Sequence, residues 1–228
     1  MRRAACILFA VVISATPSAQ SSPDISGFWE LSFDSRRVPA ASLLPAVTPA
    51  VLAKRTEHDA HAIRWCNFLG LPMAMDSPRP INIRQGRREI VINFETVATP
   101  RHLYFRPSHP NMEIFDPTTN GDSIARWEGD TLIVDTIGFD GGKGVTMIPG
   151  GGYRTSDSHL IERFRLLNDA LLSVTSTWQD AKVFRTPHTY EFRYVRAPRL
   201  YEAQPPLACN PFDEQRAAFL SPSATGGR

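Results

Sequence analysis

Gly121-Asp122-Ser123-Ile124-Ala125-Arg126-Trp127-Glu128-Gly129-Asp130-Thr131-Leu132-Ile133-Val134-Asp135-Thr136 lies at the middle of a 228-residue chain, and its pattern decides the fold class. Ser123 to Trp127 alternates small or polar residues with larger ones. Thr131 to Ile137 is rich in β-branched residues, which suit a pleated, half-buried surface. Between the two runs stands Glu128-Gly129-Asp130, where Gly129 can adopt the positive φ of a tight turn. The stretch therefore predicts a β-hairpin. Side chains alternate faces along a strand, so Leu132, Val134 and Thr136 share one face and Thr131, Ile133, Asp135 and Ile137 the other. Arg126, beside Ile124, and Asp135, beside Ile133, are then the polar side chains aimed at an interior, unless both lie on a solvated outer face.

Outward from the hairpin, similar strands recur. Ser26 to Phe33 opens the series with Trp29, Leu31 and Phe33 on one face. Ile81 to Arg84 and Glu89 to Thr96 flank the turn Gln85-Gly86-Arg87, with Ile90, Ile92 and Phe94 pointing one way. Arg101 to Arg106 follows, then Ser158 to Leu166 and Ala170 to Gln179 around Asn168-Asp169, and finally Thr189 to Val195. About nine short strands joined largely by hairpins predict an all-β, antiparallel up-and-down barrel. Thr48-Pro49 is a helix-start signal, and Pro49 to about Ile63 reads as one short helix inserted after the first strand. Trp65 to Pro80 is an irregular, apolar passage, either a lid over one mouth of the barrel or packing under the helix. The Gly-rich run from Asp140 to Gly152 has no helix-start context for a phosphate loop.

The ends of the chain set the compartment. Arg2-Arg3, the apolar run Ile7 to Ile13 and the small residues through Ala19 have the form of a secretory signal peptide. The expected organisation is a signal peptide over 1–19, a barrel domain over 20–210 with a helix and lid insertion near 36–80, and a tail over 211–228. The product would be periplasmic or secreted. The formal charge of +2 includes Arg2 and Arg3, with no acid among the first nineteen residues, so the mature chain is neutral. A neutral chain gives no electrostatic ground for a nucleic-acid partner, and no later segment has the length for stable membrane insertion. Cys66 and Cys209 are the two cysteines left after cleavage, and in an exported chain they predict one disulfide.

Gly27-Phe28-Trp29 resembles the opening strand of lipocalin-like (calycin) barrels, in which the Trp plugs the floor. The central stretch, Gly121-Asp122-Ser123 with Arg126 and Trp127-Glu128-Gly129-Asp130-Thr131-Leu132, resembles a large group of exported bacterial proteins of unknown function. The resemblance runs from the Cys66 loop through Glu95, Arg101 and His109-Pro110 to Glu162-Arg163-Phe164 and Cys209. It implies a bacterial envelope protein with a lipocalin-like barrel, and no activity comes with it. Ala125 stands where such proteins often have Gly, and His102 where the strand is usually aliphatic.

Ionisable residues on strands are the site candidates, because a barrel interior accepts them only with partners. Glu95, His109, Arg126 and Glu162 are the expected catalytic group: carboxylates and an imidazole for acid–base work, and an Arg for a developing oxyanion. Arg101, Tyr104, Trp127, Asp135, His159 and Arg163 are the expected ligand-binding group. The competing account makes Arg126–Glu162 and Arg101–Glu95 ion pairs that fix the barrel. Glu57, His58 and His61 match no strong zinc pattern, so neither a metal nor another cofactor is expected. Two functions remain: a barrel that binds a small molecule among apolar and aromatic side chains, or a cofactor-free lyase, isomerase or hydrolase acting on a sugar- or aromatic-type compound. Convergence of Glu95, Arg126 and Glu162 on one solvent-open cavity would favour the enzyme; pairing in a sealed core would make those residues structural.

Overall fold

The computed structural model describes residues 22–32, 34, 36–47, 49, 53, 70–95, 99–141 and 147–198. The expected signal peptide, Cys66, Cys209, the Glu57-His58-His61 group, most of the expected helix and the tail over 211–228 lie outside them.

Nine strands form one closed barrel in chain order. They are β1 (Gly27–Leu31), β2 (Ile81–Gln85), β3 (Glu89–Phe94), β4 (Arg101–Tyr104), β5 (Asp122–Glu128), β6 (Thr131–Ile137), β7 (His159–Asn168), β8 (Leu171–Gln179) and β9 (His188–Arg196). The central hairpin is β5–β6: Glu128 pairs with Thr131 across a two-residue turn, and Gly129 has φ +62°. All-β architecture and a closed barrel are thus as expected from the sequence.

One pairing departs from a simple meander. β4 and β5 run parallel, Leu103 opposite Ser123 and Tyr104 opposite Ile124, while every other neighbouring pair is antiparallel. The cause is parity. A nine-strand meander of reversals alone would return β9 parallel to β1. One parallel step restores an antiparallel β1–β9 closure, with Trp29 opposite Arg196 and Leu31 opposite Tyr194. The chain makes that step through residues 105–121, which climb the outside of the barrel from the short-turn end back to the other end.

The inner face follows the strand alternation. Ile81 and Ile83, Ile90 and Ile92, Leu132 and Val134, Phe164, Val174, Trp178, Tyr190 and Phe192 form one buried cluster. Burying each such side chain contributes about 1.5–3 kcal/mol, so this cluster is the main source of stability. The short-turn end is closed around Trp29, whose Nε1 donates to the Ile25 carbonyl at 2.9 Å. Arg196 lies over the Trp29 ring at 4.1 Å and donates to the Ser26 carbonyl at 2.7 Å. Gly27 and Trp29 thus occupy the floor of the barrel.

The opposite end is filled by residues 70–77. Leu71, Ala74 and Met75 are buried in the same cluster, and Tyr194 donates to the Met75 carbonyl at 2.7 Å from inside the barrel. Asp76 accepts from Arg36 at 2.6 Å. Arg154 ties this plug to two loops. Its guanidinium donates to the Leu71 carbonyl at 2.7 Å, to the Thr119 carbonyl and to Asp140 at 2.5 Å, and lies 5.0 Å over the Phe139 ring.

Candidate functional site

The strand faces sort the expected site residues into separate groups. Inside the barrel, Arg101 donates to Glu162, to Thr136 at 3.0 Å and to Ser123 at 3.3 Å, and Ser123 and Thr136 share a hydrogen bond of 2.9 Å. Arg101 and Glu162 are only 1% and 2% exposed at their side chains. The neighbouring phenols of Tyr190 and Tyr194 are held neutral, because burial pushes both well above the ordinary tyrosine value.

This corrects two expectations. The inward polar residues of the central hairpin are Ser123 and Thr136, while Arg126 and Asp135 face outward. The buried partner of Glu162 is Arg101, and Arg126 instead pairs with Glu128 on the surface at 2.7 Å. The reason is steric: the inner face of β5 is small at Ser123 and Ala125, which leaves room for Arg101 to cross the interior. Outward-facing Ile133 sits in register between Arg126 and Arg163, long side chains whose stems can shield it. Glu95 directly follows β3, buried, with Arg79 4.0 Å away. Trp127 packs half-buried against the core. Arg126, on the outer face, therefore does not converge with the buried Arg101–Glu162 pair.

The outer wall brings a different set together. His109, carried by the 105–121 crossover, lies over the far end of β5 and β6. Its Nδ1 is 2.6 Å from Asp122 Oδ2, and its Nε2 is 3.2 Å from Asp135 Oδ1. The same Asp135 oxygen accepts from His159 Nε2 at 2.8 Å. Asp122 is nearly covered and is held from its other side by Arg106. Arg106 in turn lies 4.7 Å over the Tyr104 ring, and His102 stacks on that ring with centroids 5.7 Å apart. His102 is itself anchored by Glu89 at 2.8 Å. Four expected site residues, His109, Tyr104, Asp135 and His159, thus belong to one connected belt across β3 to β7.

The belt has a defined hydrogen-bonding polarity. Both ring nitrogens of His109 face carboxylate oxygens, so both contacts are hydrogen bonds only when the ring is the doubly protonated imidazolium. His109 and Arg106 then balance Asp122 and Asp135. His159 needs only an Nε2 proton to meet Asp135, which leaves its Nδ1 lone pair unused. Asp135 makes both its bonds through Oδ1, and its Oδ2 has no partner among the described residues. Asp135 and His159 are each about one-third exposed. Each side chain of this partly exposed pair thus keeps one acceptor without a partner among the described residues, and Asp122, His109 and Arg106 hold Asp135 in place from behind. Among the described residues no group of three His, Cys, Asp or Glu side chains is placed to hold a metal ion.

Asp122 and Arg106 were not among the expected site residues. Asp122 was legible in principle. The two-residue turn at Gly129 fixes the hairpin register, which places Asp122 opposite Ile137 and Ile124 opposite Asp135 on the same outer face. Arg106 and the approach of His109 depend on the crossover, which no local pattern announces. No protein-family model matches the chain, and no curated protein is similar to it in sequence.

Proposed function

We propose that this is an exported bacterial barrel that binds a small, neutral, hydroxyl-bearing molecule on its outer wall. The observation that carries the proposal is the pair of accessible acceptors, Asp135 Oδ2 and His159 Nδ1, held in place by Asp122, His109 and Arg106. Acceptors on two linked side chains are complementary to the several O–H donors of a sugar or polyol. Charges balanced within the belt disfavour a ligand of high net charge. The signal-like segment over 1–19 supports export, and a Cys66–Cys209 disulfide is consistent with that compartment. The closed barrel, with its buried Arg101–Glu162 pair, supplies rigid strands on which a precise site can be built.

The experiment is isothermal titration of the mature protein with a panel of neutral monosaccharides, disaccharides and polyols. At least one member should bind. Asp135→Asn should weaken that binding on the order of tenfold or more, the effect of one lost hydrogen bond to a charged acceptor. A panel without a binder, or binding indifferent to Asp135→Asn, contradicts the proposal.

A further inference from the structure

We infer that His159 is a general base at the wall site, oriented by Asp135, so that the bound molecule is deprotonated as well as held. This rests on the binding site proposed above and adds a chemical step to it.

The geometry makes the assignment specific to one imidazole of the cluster. His109 has both ring nitrogens facing carboxylates at 2.6 and 3.2 Å, so neither is open to a substrate. His159 has one carboxylate, on Nε2 at 2.8 Å. A carboxylate on one ring nitrogen fixes the tautomer and stabilises the imidazolium formed when the other nitrogen gains a proton. The Nδ1 of His159 makes no hydrogen bond among the described residues, and its side chain is 32% exposed. Asp135, on the other ring nitrogen, orients the imidazole. The substrate class is a hydroxyl-bearing compound or a water molecule aligned against an acyl compound. In the step, the O–H bond breaks, its proton moves to His159 Nδ1, and the electron pair stays on oxygen. When that oxygen adds to an ester carbonyl, the ester C–O bond breaks with its electron pair going to the leaving oxygen, which takes the proton back from His159 Nδ1 and departs as the alcohol or phenol.

Two measurements test this. Long-range 1H–15N correlation spectra of the imidazoles should show the neutral His159 ring protonated at Nε2 and unprotonated at Nδ1. Asp135→Asn should remove the tautomer preference of His159. The acyl probe is p-nitrophenyl acetate. The mature wild type should hydrolyse it about tenfold faster than His159→Gln or Asp135→Asn, whereas Arg165→Gln, at a surface pair outside the belt, should retain the wild-type rate. A proton found on Nδ1 of His159, or equal hydrolysis by wild type and His159→Gln, overturns the inference. Saccharide binding that persists alongside either result leaves the binding proposal standing. A probe hydrolysed through His159 with no saccharide bound would instead refute the binding proposal and support the base.

Discussion

Removing one member of the Arg101–Glu162 pair should cost far more than removing both. In Glu162→Leu the guanidinium stays 1% exposed with only the hydroxyls of Ser123 and Thr136 as neutral partners. A buried charge stripped of its counter-ion costs about 3–5 kcal/mol, a third or more of the stability of an ordinary domain. Arg101→Met strands the carboxylate instead, at a similar cost near neutral pH. The two then diverge with acid, because a carboxyl can take up a proton and a guanidinium cannot lose one. Arg101→Met should therefore recover part of its loss near pH 4, while Glu162→Leu should not. The double variant Arg101→Met/Glu162→Leu replaces the pair with apolar volume and leaves the Ser123–Thr136 bond intact, so it should lie within about 2 kcal/mol of wild type. Urea unfolding of the four proteins at two pH values gives the cycle. Single variants that each lose less than about 1 kcal/mol, or a double variant that loses the sum of the singles, would refute the view of the pair as a desolvated structural element.

Other consequences concern the plug, the clamp and the cysteines. Burial raises the Asp76 carboxyl from 3.8 to about 6, with Arg36 opposing the rise. The folded chain then keeps a proton that the unfolded chain has released, so stability falls as pH climbs from about 4 to about 6. The full loss is about 3 kcal/mol. Asp76→Asn should be more stable than wild type near pH 7, by that amount less the Arg36 contact, and show no gain near pH 4; an unchanged pH profile in the variant would contradict this. Arg154→Met removes the donor shared by Leu71, Thr119 and Asp140. It should lower stability by about 3 kcal/mol and speed proteolytic cleavage within 70–77, whereas wild-type resistance there would rule out a clamp. Thiol titration of the denatured, unreduced mature protein should find no free cysteine if Cys66 and Cys209 are bridged, and two if they are not.

How much of this was legible follows from what each signal depends on. The hairpin at Gly129, the alternation of Ile90, Ile92 and Phe94, and the strand count rest on local chemistry, and the barrel follows from them. The inward or outward sense of β5 and β6 was not local. Ile124 and Ile133 made their faces look apolar, but the opposite face of β5 is small because Arg101 arrives there from another strand. Trp29 at the floor could be anticipated, whereas Arg196 over its ring depends on the β1–β9 closure. The parallel β4–β5 step was hidden because the crossover over 105–121 has the composition of an ordinary loop. That same crossover delivers His109 to Asp122 and Asp135. His109 and Asp135 were candidates in the sequence, but their meeting place was set by the path of the crossover.

The most direct measurement is saturation-transfer NMR with the saccharide and polyol panel on three proteins: wild type, Asp135→Asn and the interior double variant Arg101→Met/Glu162→Leu. The wall site predicts transfer to a shared ligand in wild type and in the interior variant, and its loss in Asp135→Asn. Transfer that survives in Asp135→Asn and disappears in the interior variant would contradict the account and move the ligand inside the barrel.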